Sequence, residues 1–117
     1  GTTADIKITA RCNLYGIGIW TLTGYTSSTP SDTSVADTNS TTISVTPGGV
    51  IVSGYGVRSS GGTSTWSGAT EDFDNLLDTG DYHSGASAVT ATTDATYALS
   101  AGGGGGSEQD IHAAFWL

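Results

Sequence analysis

Residues 47–74, PGGVIVSGYGVRSSGGTSTWSGATEDFD, constrain the fold more than any other stretch. Pro47-Gly48-Gly49 is turn chemistry, because proline presets its own φ and glycine takes backbone conformations that other residues avoid. Residues 50–58 follow as an apolar run broken at Gly54 and Gly56. Val, Ile and Tyr suit the pleated surface of a strand, and a glycine inside a strand marks close approach by a neighbour. Ser59-Ser60-Gly61-Gly62 form a polar tip, residues 63–67 bring Trp66 back, and Glu71-Asp72-Phe73-Asp74 close the segment with charge. This pattern predicts a β-hairpin, close-packed at its centre and solvated at its far end.

The rest of the chain extends the same signals. Residues 5–12 alternate polar Asp5, Lys7, Thr9 and Arg11 with apolar Ile6, Ile8, Ala10 and Cys12, which predicts a half-buried strand. Residues 14–24, LYGIGIWTLTG, are apolar on both faces and predict a central strand with Trp20 in the core. Gly16 and Gly18 leave room there for a ring or another backbone. Residues 25–39 are nearly all Ser, Thr, Asp, Asn and Pro, and predict a surface loop pinned to the core by Val35. Further strands are expected at 41–46, 69–74, 82–92 and 95–101, with a loop at 75–80. The glycine run 102–106 predicts a flexible connector. Residues 110–117, DIHAAFWL, predict a last strand with Ile111, Ala113, Phe115 and Leu117 on one face. His112, Ala114 and Trp116 take the other, and Trp116 is expected in the core.

About eight or nine short strands make an all-β fold: a single antiparallel β-sandwich, jelly-roll-like or immunoglobulin-like. Composition agrees, since Ser, Thr and Gly make up nearly half of the 117 residues and there is no Met. That length suits one domain, residues 1–117, with one real core. The first residue is Gly, which points to processing or to a piece of a longer protein.

Charge narrows the partners. Three cations against a net charge of −8 cannot neutralise a phosphate track or hold an anionic membrane. Nucleic acid and membrane are therefore not expected as partners. The longest strongly apolar run, residues 113–117, is too short to span a bilayer, and no signal-peptide pattern appears. Cys12 is the only cysteine, so no internal disulfide can form, and its alternation with Ile8 and Ala10 reads as a buried structural thiol.

Few residues carry chemistry. Asp72, Asp74, Asp78 and Asp81 are hard oxygen donors at short spacing and form a candidate Ca²⁺ site, whereas two histidines, His83 and His112, are too few for a zinc site. A solvated acidic edge that discourages sheet pairing is the competing reading. His83 and His112 have no oriented Ser and acid in the local sequence, so no catalytic residue and no enzymatic activity are expected. Trp66 and Tyr55 on the predicted hairpin, with Tyr25 at the start of the long loop, are candidates for stacking on sugar rings; burial in the core is the alternative for each. The apolar end Phe115, Trp116 and Leu117 is a candidate assembly surface.

The order of these signals resembles a family. YGIGIWTLTGYTSSTPSDT, ISVTPGGVIVSGYGV, GTSTWSGATEDFD, YHSGASAV and a final HAAFWL are similar to a β-sandwich domain near the C-termini of virion structural proteins. These come from tailed phages, prophages and gene-transfer-agent-like particles of alphaproteobacteria. The matching positions are 19–24, 47–50, 65–71 and 84–87, although Pro47-Gly48-Gly49 lacks one residue of the family's entry to the central strand. The resemblance implies a non-enzymatic virion structural or surface protein, such as a capsid decoration, head fibre, neck or tail appendage. Its partners would be other virion proteins and copies of itself, and its place the virion surface, outside the cell. A glycan-binding module for host attachment is the alternative expectation.

Overall fold

The computed structural model describes residues 18–58, 63–102 and 108–117. The expectations for the strand at 5–12, for Cys12, for the first part of 14–24, for the tip at 59–62 and for most of the glycine run lie outside these residues. The described residues form eight strands: β1 (Asp32–Ala36), β2 (Ser40–Val45), β3 (Val50–Arg58), β4 (Thr65–Ser67), β5 (Thr70–Asp78), β6 (Asp81–Val89), β7 (Asp94–Gly102) and β8 (Glu108–Trp116). A five-stranded sheet has the order β1-β8-β3-β6-β5, and a three-stranded sheet the order β2-β7-β4. Every pairing is antiparallel. The all-β sandwich expected from the sequence is the fold observed.

Strict alternation builds the core. Ile51, Tyr55 and Val57 on β3 and Ile111, Ala113 and Phe115 on β8 point inward from the larger sheet. Ile43 and Val45 on β2 and Leu99 and Ala101 on β7 meet them from the smaller one. Each fully buried aliphatic side chain contributes about 1.5–3 kcal/mol. The β2–β3 turn is held from below by Thr90. Its N–H and hydroxyl both donate to the Gly49 carbonyl, at 2.9 and 3.1 Å, and its own carbonyl accepts from Gly48 N–H at 2.8 Å. Gly48 has φ +84°, a value glycine adopts without steric cost.

Several local expectations are corrected. β3 and β4 are not a hairpin. β3 pairs with β6 and β8, and β4 pairs with β7 in the opposite sheet. Both edges of β3 are taken by nine-residue strands, and Trp66 instead reaches the core from the other side. Likewise β6 and β7 are consecutive but lie in different sheets. The loop expected at 75–80 is mostly strand, because β5 runs to Asp78 along β6 with two register shifts. The long polar segment 25–39 contains β1, and Val35 faces solvent at 63% exposure, so it pins nothing. The segment is tied down by its backbone: Ser31 N–H donates to the Phe115 carbonyl at 2.7 Å, and Thr26 N–H to the Leu117 carbonyl at 2.9 Å. Residues 18–24 are not a strand, and Ile19 is 71% exposed.

Candidate functional site

The ring–ring contacts among the described residues form two groups. Inside the sandwich, Tyr55 and Trp66 meet edge to face at 6.4 Å. Trp66 is half-buried, and its Nε1–H crosses between the sheets to donate to Ser84 Oγ at 3.1 Å. Tyr55 is 1% exposed. A ring so enclosed offers no face to a sugar, which corrects its candidacy for stacking. Burial pushes its phenol above the usual range, and the Asp110 carboxylate adds to that. Tyr25 is 47% exposed and lies outside both groups of ring contacts. The three residues form no common groove.

The second group lies on the outer face of the five-stranded sheet. Alternation turns Gly54 and Gly56 of β3, Asp110 and His112 of β8, and His83 and Gly85 of β6 to that side. Phe73 of β5 pairs with Gly85, directly after the register shift that displaces Asp72. Trp20 packs on Phe73 with ring centroids 5.6 Å apart, and Phe73 on His83 at 5.3 Å. The glycines permit this. A Cβ at Gly85 would sit 2.4 Å from Phe73 and 2.7 Å from Trp20, so the rings occupy the space a side chain would fill. Asp110 lies over Gly56 in the same way, 2.9 Å from where a Cβ would be. Trp20, expected in the core, is therefore a surface-sheet residue; its indole N–H donates to Asp72 Oδ2 at 2.7 Å. Trp116 is also corrected, being half-buried on the outer face.

Electrostatics on this face are mixed. Asp110 Oδ2 lies 3.0 Å from His112 Nε2, with both side chains more than half exposed. Burial pushes the His83 imidazole below its ordinary value, while the carboxylates of Asp110 and Asp74 act in the opposite direction. Arg58 pairs with Glu108 at 3.3 Å across the exposed strand ends, a contact of little energetic weight.

The four aspartates expected to hold Ca²⁺ do not converge. Asp72 faces outward, taking Trp20 and Ser87. Asp74 faces inward, where its Oδ2 accepts the Ser64 N–H and its Oδ1 is buried without a partner. Asp78 caps the β5–β6 turn by accepting Thr79 N–H at 2.6 Å, and Asp81 stands across from it in the ladder. Among the described residues no three His, Cys, Asp or Glu side chains come together for a metal. Strict alternation would put Asp72 and Asp74 on one face; the register shift between Glu71 and Phe73 sends them to opposite faces and prevents a shared site.

At the C-terminal end, Phe115 is 2% exposed and belongs to the core, not to an interface. Trp116 pairs with Val50, which pairs on its other side with Val89, making an apolar row across three strands. Val89 is 81% exposed and Leu117 46%. The signal that marks the outer face in the sequence is glycine at spacing two, Gly54 and Gly56, within an otherwise β-branched strand. A shallow depression on the smaller sheet, lined by Ser40, Thr42, Ser67, Ala98 and Ser100, carries no titratable group. No family model, curated protein or solved structure matches this chain.

Proposed function

We propose that this chain is a non-enzymatic structural domain of a virion surface, a capsid decoration or a head, neck or tail appendage, and that it acts by assembly. The supporting observation is the apolar row Trp116–Val50–Val89 on the outer sheet face. An antiparallel sheet that faces water normally alternates apolar inside with polar outside. Here the outer positions at this end of β8, β3 and β6 are large and apolar, and Val89 is 81% exposed. Such a row suits packing against a neighbouring copy or another virion protein, with many weak contacts adding through avidity. Leu117, 46% exposed, extends the apolar surface at the adjoining strand end. The domain's place is then the particle exterior, outside the cell. Light scattering of the isolated chain, followed by sedimentation with its parent particles, tests this. Self-association or co-sedimentation that a Val89→Asp variant abolishes is the expected result. A chain that stays monomeric and remains in the supernatant would overturn the assembly role.

A further inference from the structure

The aromatic group and the glycine floor lie beyond the apolar row and have no part in its packing. In the register row His112–Gly54–Gly85–Phe73, the two middle positions have no side chain. The next row, Asp110–Gly56–His83–Asn75, has one more gap. Over Gly54 the space is open: the nearest atom to a Cβ built there is His83 Nε2, at 4.0 Å. The open space is a notch over Gly54, because Phe73 and Trp20 fill the place over Gly85 and Asp110 fills that over Gly56. One wall is the ring series Trp20, Phe73 and His83, all half-buried and so partly open to solvent. The other is the Asp110–His112 pair. The Trp20 indole is held in place by Asp72 through its N–H, and by Gly18, whose backbone lies against the ring.

We propose that this notch binds one pyranose ring of a neutral saccharide. Apolar C–H faces of a sugar stack on aromatic faces, and its hydroxyls donate to carboxylates and imidazole nitrogens. The notch offers both, on opposite walls. Charge selects among saccharides. Asp72, Asp81 and Asp110 are the charges around it, Arg58 is already paired with Glu108, and the chain carries a net charge of −8. Uronic and sialic acids are repelled, and neutral hexoses are not.

The test is affinity electrophoresis of the whole chain through gels containing dextran, laminarin or galactomannan, with polygalacturonate as the anionic comparison. Retardation by at least one neutral polymer is expected. Gly54→Val fills the notch with a residue that favours strands, and Asp110→Asn removes the charge and turns one acceptor oxygen into an N–H donor at nearly constant shape. Each should weaken retention roughly tenfold, the effect of losing one well-made polar or stacking contact. Absence of retardation by every neutral polymer overturns the proposal. So does unchanged binding in both variants, a preference for polygalacturonate, or a Gly54-dependent dimer with no polysaccharide bound. If Gly54→Val fails to fold, Asp110→Asn alone decides. The isolated chain is used throughout, so the outcome does not depend on association with a particle.

Discussion

Gly68 and Gly48 share the same backbone conformation and differ in what surrounds them. Both have φ +84°. Nothing lies within 4 Å of a Cβ built on Gly48, whereas one on Gly68 would stand 2.2 Å from the Ala98 carbonyl oxygen. The Gly68 carbonyl is also held by the Tyr97 hydroxyl at 2.7 Å, so the turn cannot shift away. Gly48→Ala should therefore cost about 1 kcal/mol, the left-handed penalty alone. Gly68→Ala should cost about 3 kcal/mol, because a backbone clash is added. Urea unfolding of the two variants measures the difference, and equal costs would refute the steric account. His83 supplies a pH dependence. Its folded-state pKa lies below the ordinary 6.5, chiefly through burial. Between the folded value and 6.5 the unfolded chain binds more protons, so stability rises with pH through that window and is lost as pH falls through the folded pKa. Urea titrations from neutral to mildly acid pH should show this slope, and His83→Asn should flatten it. An unchanged slope in that variant would assign the dependence to other groups.

Among the elements, β8 and β1 show what burial decides. Ile111 on β8 is fully buried, and Ile111→Ala should destabilise by about 2–5 kcal/mol. Val35 on β1 is 63% exposed, and Val35→Ala should change stability by less than about 0.5 kcal/mol. Chemical denaturation separates the two, and a large loss at Val35 would restore the anchoring role its sequence context suggests. β3 was legible to the residue, 50–58, because its burial alternates and its own composition is β-branched. β5 was not, because TEDFDNLLD is an acidic edge strand with two register shifts whose order comes from pairing with β6. Strand partners were the least legible feature. Local sequence joins β3 to β4, yet the fit of Gly54 against Gly85 places β6 beside β3, and no short window contains both residues. The same long-range match hid the outer-face site. Trp20 reads as core from its apolar neighbours, and only the bare backbone at Gly85, 65 positions on, shows that the indole rests on a sheet surface.

At the scale of the molecule, the pairings join distant parts of the chain: β1 with β8, β3 with β8, and β2 with β7. Loop closure must precede the reward from such contacts, so refolding should be slow for a small domain, in the range of about milliseconds to seconds. Stopped-flow tryptophan fluorescence would record this, and complete refolding within microseconds would show that native pairing is not limiting. The order of strands also bears on synthesis. Within the described sheet, β8 comes last in the chain and lies second in the sheet, between β1 and β3. On the ribosome, β1 waits without its sheet neighbour and β3 shows an open edge until residue 116 has emerged. That interval is a window for a nascent chain to pair with the wrong strand, and a message truncated before residue 108 would leave it permanently open.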